Sequence, residues 1–266
     1  MSTAAPPPPV RLIPRLDIKG DNVVKGVRLE GLRVVGTPDE LARRYYAQGA
    51  DEILFVDIVA SLYGRNSILD VVERAAREIF VPLTVGGGLR TLDDIAGALG
   101  AGADKVAINT GGIRRPAFLA EAARRFGSQC IVLNLEAKRR GPGQWEPLTD
   151  NGRETTGRDA FTWVEEALSL GVGEILVTSV DQEGTRKGFD IELVAEVRKR
   201  AKVPVIACGG AGTAAHIAEC FARSDADAAA CAAILHYGVT TLPALKTELA
   251  RAGIAVREAP PLEAAA

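Results

Sequence analysis

Apolar residues gather in short Val/Ile/Leu-rich runs along this chain, and between the runs lie longer stretches with a helical pattern of apolar and polar positions. Runs of that kind suit strands buried on both faces, and their alternation with helices implies a parallel sheet covered by the helices. Eight strands are predicted: Leu12–Ile18, Ile53–Ile58, Pro82–Val85, Lys105–Ile108, Cys130–Leu135, Glu174–Ser179, Val203–Ala207 and Asp227–Cys231. Helices are expected at Pro38–Gln48, Ser67–Glu78, Leu92–Leu99, Pro116–Phe126, Arg158–Leu170, Ile191–Lys199, Ala214–Ala222 and Leu242–Ala252. Thr37-Pro38 and Arg115-Pro116 put proline at a helix opening, while Gly49 and Gly171 follow helix ends. Eight such units in roughly 250 residues predict one α/β domain, a (β/α)8 TIM barrel. It is expected to span 10–257, between a disordered proline-rich tail at 1–9 and a disordered C-terminal tail at 258–266.

The second half of the pattern echoes the first. Gly49-Ala50-Asp51-Glu52-Ile53-Leu54 recurs as Gly171-Val172-Gly173-Glu174-Ile175-Leu176, and Val81-Pro82-Leu83-Thr84-Val85-Gly86-Gly87-Gly88 recurs as Val203-Pro204-Val205-Ile206-Ala207-Cys208-Gly209-Gly210. Both echoes lie roughly 120 residues on, which suggests two four-strand halves built on one plan. A site in one half is then expected to have a counterpart in the other.

Composition narrows the function classes. With 47% hydrophobic and 25% charged residues the chain has material for a sizeable core and for solubility. A net charge of −2 and a pI near 5.9 lack the excess expected of a general nucleic-acid or membrane-surface binder. Cys130, Cys208, Cys220 and Cys231 show no C-x-x-C spacing and read as reduced thiols, which fits a cytoplasmic setting. No nucleophile motif, metal-ligand spacing or dinucleotide fingerprint occurs, so neither a metal nor a cofactor is expected. His216 and His236 have no partner motif and read as structural.

In such barrels the chemistry collects at the C-terminal ends of the strands. Strand 3 ends in Gly86-Gly87-Gly88, strand 4 in Asn109-Thr110-Gly111-Gly112 and strand 7 in Gly209-Gly210-Ala211-Gly212, and strand 6 leads into Asp181-Gln182-Glu183-Gly184-Thr185. Glycine loops with exposed N–H groups suit anions, and their occurrence at repeat-related positions points to two phosphate sites clamping one bisphosphate. Asp17 and Glu136 end the first and fifth strands and are expected to face each other as acid/base partners; the alternative is that they pair with Lys19 and Lys138. Asp57 and Asp181 are second candidates.

These residues resemble the cyclase subunit of imidazole glycerol phosphate synthase from Val10 to Arg257. The likeness is carried by Leu16-Asp17-Ile18-Lys19, Val24-Lys25-Gly26, Phe55-Val56-Asp57-Ile58, Val85-Gly86-Gly87-Gly88, Gly102-Ala103-Asp104-Lys105-Val106, Ile108-Asn109-Thr110, Gly173-Glu174-Ile175-Leu176, Thr178-Ser179-Val180-Asp181 and Gly209-Gly210-Ala211-Gly212. The resemblance implies a lyase of histidine biosynthesis. Ammonia from a glutaminase subunit would attack a phosphoribulosyl aminoimidazole carboxamide ribonucleotide, a bisphosphate, giving imidazole glycerol phosphate and a purine precursor. It implies catalytic roles for Asp17 and Glu136, and for Lys25 a place on a mobile loop over the substrate. Gly87, Gly88, Asn109 and Thr110 would hold one phosphate; Gly184 and Gly210 would hold the other, with Asp181 among the substrate residues. Arg11, Glu52, Lys105 and Glu174 would ring the mouth of an ammonia passage at the N-terminal face, with Asp104 against the glutaminase. Read without the resemblance, those four are a stabilising salt-bridge ring.

Three positions depart from the family pattern. Glu136 stands where the family has an aspartate, Arg15 where a small residue is usual, and Ala233 where a serine often helps with phosphate. Ile13-Pro14-Arg15-Leu16-Asp17 with Leu135-Glu136-Ala137 resembles a divergent branch that is thought to route ammonia to another acceptor, such as a sugar. The histidine-pathway cyclase therefore stands beside three alternatives: that branch, a non-catalytic scaffold activating a glutaminase, and the two-phosphate isomerase of the same pathway.

Overall fold

The computed structural model describes residues 8–60 and 68–259. The expected tails fall largely outside these residues, as does Ser67, the expected first residue of the second helix. In chain order the strands are β1 (Arg11–Lys19), β2 (Asn22–Val27), β3 (Glu30–Gly36), β4 (Ile53–Asp57), β5 (Leu83–Gly86), β6 (Lys105–Ile108), β7 (Ile131–Gly141), β8 (Gln144–Thr149), β9 (Glu154–Thr155), β10 (Glu174–Ser179), β11 (Val205–Cys208) and β12 (Ala228–Cys231). The helices are α1 (Pro38–Ala47), α2 (Leu69–Ala76), α3 (Leu92–Gly100), α4 (Thr110–Arg114), α5 (Ala117–Phe126), α6 (Ala160–Ser169), α7 (Ile191–Arg200), α8 (Ala214–Ser224), α9 (Ala233–His236) and α10 (Leu242–Arg251).

Strands β1, β4, β5, β6, β7, β10, β11 and β12 pair in parallel in that order. β12 pairs back to β1, so the sheet closes on itself as an eight-stranded barrel. Two separate apolar clusters follow from the two-residue period of each strand. On β1, Leu12, Leu16 and Ile18 pack outward against the helices, whereas Ile13 joins Leu54, Val56, Ala107, Val132, Leu176, Ile206, Ala228 and Ala230 inside. The outer layer buries large side chains such as Phe118 and Trp163, each stabilising the fold by roughly 1.5–3 kcal/mol or more. The same alternation strings function along single strands. β1 sends Arg11, Ile13, Arg15 and Asp17 inward from one mouth to the other, and β7 sends Val132, Asn134 and Glu136.

The expected strands and helices all occur, with ends shifted by a few residues, and two additions change the upper rim. β1 turns at Gly20, in left-handed backbone, into an antiparallel pair, β2 and β3. The fifth barrel strand was expected to stop at Leu135 but runs to Gly141 and pairs with β8, which pairs with β9. The additions sit on the first and fifth barrel strands, equivalent places in the two halves. Lys138-Arg139-Arg140 breaks the apolar run there, because an antiparallel extension above the barrel keeps one face in water. Helix starts repeat across the halves too: Thr91 caps α3 and Thr213 caps α8, each accepting a backbone N–H three residues on.

Candidate active site

The inward residues at the C-terminal end form a buried charge cluster. Arg15 Nε donates to Asp17 Oδ1 at 2.8 Å, and Arg15 Nη1 donates to Thr178 Oγ1 at 3.0 Å and lies 3.5 Å from Cys208 Sγ. Lys25 Nζ donates to Asp17 Oδ2 at 3.1 Å and pairs with Glu183. Burial alone would raise the Asp17 pKa, but the charges and hydrogen bonds of Arg15 and Lys25 overcome it and bring the carboxyl down to about 2. Asp17 is a fixed anion, paired to neither Lys19 nor any exposed cation.

Glu136 lies in the same mouth, and its pKa shifts in the opposite direction. Burial lifts its pKa to about 7, aided by the Asp17 anion and opposed by Arg15. Asn109 Nδ2 donates to Oε2 at 3.1 Å, and the neutral Asn134 side chain and Gly152 backbone also favour the charged form. Arg15 acts on Glu136 through charge alone, since its hydrogen bonds go elsewhere. Two carboxyls whose environments drive their proton affinities apart give one permanent anion and one proton carrier near neutral pH.

Beside Glu136 opens a cavity of about 190 Å³ lined by Gly87, Gly88, Asn109, Thr110, Asn134 and Asn151, with Arg90, Arg114 and Arg115 also on its wall. Gly87 has φ +98°, and a Cβ there would run into the Asp57 carbonyl, so this approach of two loops requires glycine. At the repeat-related place Gly184, Gly209 and Gly210 line only about 20 Å³, together with Arg15, Lys25, Glu183 and Ala233. The β2–β3 hairpin lies over that half: the Arg28 N–H donates to the Glu183 carbonyl at 2.8 Å and the Leu29 N–H to Glu183 Oε2 at 3.1 Å.

The opposite mouth carries a closed ring of alternating charge. Arg11 pairs with Glu52 and, at 2.8 Å, with Glu174; Lys105 Nζ reaches Glu52 at 2.7 Å and Glu174 at 2.6 Å. Asp104 stands exposed beside it and accepts the Leu83 N–H at 2.8 Å.

The family description "Histidine biosynthesis protein" matches residues 11–241. The chain belongs to this family. "Imidazole glycerol phosphate synthase subunit HisF" of Legionella pneumophila is 59% identical over 203 residues, 76% of this chain and 96% of that protein. The protein of the same name from Myxococcus xanthus is 51% identical over 247 residues, 93% of this chain and 97% of its own length.

Within the family frame, most of the residues singled out in the sequence come together at one mouth or the other, and two do not sit as expected. Lys25 is not on an open loop but on β2, buried and bridging Asp17 and Glu183, because the hairpin holds it there. Asn109 lines the cavity with Gly87, Gly88 and Thr110 as expected, its Nδ2 donating to Glu136 and to the Leu148 carbonyl at 3.0 Å. Asp181 accepts the Arg139 N–H at 2.9 Å and lines an outer groove with Gln182 and Gly188, apart from both glycine-lined cavities. Asp57 accepts the Val59 and Ala60 N–H groups, anchoring its own loop. His236 is buried, takes the Tyr45 hydroxyl on Nδ1 at 2.7 Å and meets the Arg15 carbonyl with Nε2 at 3.0 Å. Burial pushes its pKa down to about 4, so it is a neutral prop under Arg15.

Asn134, Thr178, Glu183 and Asn151 were missed. Counting back two residues from Glu136 and from Val180 places Asn134 and Thr178 on the inward face, so strand alternation held that signal. Glu183 and Asn151 lie in loops, where no period applies. Among the described residues no His/Cys/Asp/Glu cluster is arranged to hold a metal, and no helix is long and apolar enough to cross a membrane.

Proposed function

We propose that this chain is the cyclase subunit of an imidazole glycerol phosphate synthase. It takes ammonia from a glutaminase subunit and converts the phosphoribulosyl aminoimidazole carboxamide ribonucleotide to imidazole glycerol phosphate and the aminoimidazole carboxamide ribonucleotide. The observation that carries the reading is the pair Asp17 and Glu136 in one mouth, with proton affinities driven far apart. Ring closure by ammonia requires the nitrogen to lose protons and a carbonyl oxygen to leave as water. Glu136 is poised to exchange those protons, and the Asp17 anion stabilises positive charge as it develops on nitrogen. The names of both relatives support the substrate. The test supplies the bisphosphate nucleotide with excess ammonium salt and no glutaminase. Imidazole glycerol phosphate should form at a rate well above the uncatalysed background, and its absence would overturn the reading.

The far mouth supports a glutaminase partner. The charged ring sits at the N-terminal mouth, below an inner apolar cluster that includes the small residues Ala107, Ala228 and Ala230, and a scaffold without catalysis would need the ring but not the paired carboxyls. Removing one cation leaves Glu52 and Glu174 with Arg11 alone. Lys105→Ala should therefore lower the ratio of glutamine-dependent to ammonium-dependent synthesis by about tenfold, charges at an interface setting register and association rate. An unchanged ratio in steady-state assays counts against the ring's role.

One observation favours a second reading, delivery of ammonia to a different acceptor. Arg15 is fully buried between Asp17, Thr178 and Cys208 and takes up room at the second glycine-lined cavity. The same ammonium assay separates the two, since a chain reshaped for another acceptor turns the histidine precursor over at background.

A further inference from the structure

Cys208 ends β11 with its side chain on the inner face of the barrel, where the strand period also puts Ile206. Its setting differs from that of its neighbouring thiols. Cys231 on β12 and Cys220 on α8 face the outer apolar layer and are at most 1% exposed, and burial pushes both thiols up, Cys220 to about 11. A thiol that resists ionisation in an apolar layer is inert. Cys208 is 6% exposed and stands at the mouth, with Arg15 Nη1 donating to its sulfur at 3.5 Å.

The guanidinium has a further edge to offer. Nε donates to Asp17 and Nη1 to Thr178 and Cys208, while Nη2 is buried and has no partner among the described residues. Buried polar atoms are normally paired, so a donor left open beside a sulfur points to an acceptor that can be added there. Arg15 and Cys208 line one cavity of about 20 Å³ with Gly184, Gly209 and Gly210. A water-sized centre needs on the order of 10–15 Å³, so the space admits a molecule of one or two oxygen atoms and excludes larger reagents.

We propose that Cys208 is a site of oxidation by hydrogen peroxide and that Arg15 holds the sulfenic acid that forms. The sulfur attacks one peroxide oxygen, the S–O bond forming as the O–O bond breaks, and the departing hydroxide takes the thiol proton and leaves as water. Sulfur loses two electrons and the peroxide gains them. The new oxygen is an acceptor placed beside the guanidinium, and it supplies the partner that Nη2 lacks. Cys231 follows the residue paired with Cys208 but faces the other layer, so the oxidation does not continue to a disulfide between them. The added oxygen fills the second glycine-lined cavity and displaces any anion that enters there. The modification is independent of the cyclase reading, whereas its effect on turnover rests on that reading.

The test oxidises the full chain with hydrogen peroxide, removes the excess with catalase, unfolds the product in dimedone and maps the adducts by peptide mass spectrometry. Cys208 should carry the adduct while Cys220 and Cys231 do not. N-ethylmaleimide offered to the folded, unoxidised chain should leave Cys208 unreacted, because the cavity is too small for it. Arg15→Lys keeps a cation but loses the second nitrogen edge, and should slow adduct formation at Cys208 at least about tenfold. In the ammonium assay, native turnover should fall in proportion to the adduct, and Cys208→Ser should hold its own starting rate under the same peroxide. An unlabelled Cys208 at a dose that labels the partly exposed Cys130 overturns the proposal and leaves Nη2 as a contact for an anion in the cavity. Equal labelling of Cys220 and Cys231 overturns it as well, and this comparison needs no variant. Equal rates in the native chain and a folded Arg15→Lys overturn the part given to the guanidinium, and full turnover with Cys208 oxidised overturns the blockage. An adduct on a chain that forms no product before oxidation removes the cyclase reading and supports the modification.

Discussion

Asp17→Asn is expected to lower ammonium-dependent turnover roughly a thousandfold, within the range seen on removing a positioned acid/base or charge-stabilising group. Although the amide keeps the shape of the carboxylate, the loss of charge should also cost stability. Asp17 accepts from Arg15 at 2.8 Å and from Lys25 at 3.1 Å, and all three side chains are buried. Removing one partner of such a set strands the others, typically at about 3–5 kcal/mol. Arg15→Met combined with Asp17→Asn takes away the stranded guanidinium and should recover most of the denaturant midpoint without recovering turnover. The pH dependence follows the same pair. Because the folded Asp17 sits at about 2 against an ordinary value of 3.8, its contribution is fully present above about pH 4 and is lost as pH falls towards 2. The single variant should lack that acid limb in denaturant titrations. Turnover within a few-fold of native would make Asp17 structural; an unchanged midpoint would break the account of the Arg15 pairing.

The barrel was legible because each strand repeats one local rule. β6 and β10 begin and end at the expected residues, since the apolar run, its length and the flanking polar groups agree there. The antiparallel extensions were not legible. β2 and β8 interrupt their buried apolar residues (Val23 and Val24, Trp145 and Leu148) with Lys25 and with Glu146-Pro147, which hides the strand pattern, and their place is set by antiparallel pairing with β1 and β7. The site divides the same way. Asp17 and Glu136 could be placed by strand ends and by the half-barrel echo, and the N-terminal ring by the resemblance to the family. Lys25 could be singled out but not located, because its burial depends on Glu183, which lies on the far side of the mouth and 158 residues along the chain. Arg15 was visible as an oddity on β1, yet its preference for Asp17, Thr178 and Cys208 over Glu136 depends on distances across the lumen that no sequence period encodes.

The largest pH effect should come from Glu136. The ammonium-dependent rate is expected to change across an inflection near 7, where this carboxyl exchanges its proton, and Glu136→Gln should remove both the inflection and most of the rate. Glu136→Asp retracts the carboxyl from the Asn109 amide, and a displacement near 1 Å should cost about 10²-fold. Stability runs in the opposite sense to that of Asp17. The folded pKa of Glu136 is raised from 4.5 to about 7, so its contribution is fully present below about pH 4.5, declines as pH rises, and is lost above 7. Glu136→Gln should accordingly be more stable than the native chain at pH 8, on the order of a few kcal/mol. Arg15 ties the two carboxyls together. Its guanidinium makes Glu136 easier to ionise, so Arg15→Met should move the rate inflection to higher pH while leaving the Asn109 contact in place. The decisive comparison is the rate–pH profile of the native chain, Glu136→Gln and Arg15→Met on one precursor with ammonium salt. A native inflection that survives Glu136→Gln assigns the proton exchange to another group. An inflection unmoved by Arg15→Met means that the buried guanidinium does not act on Glu136.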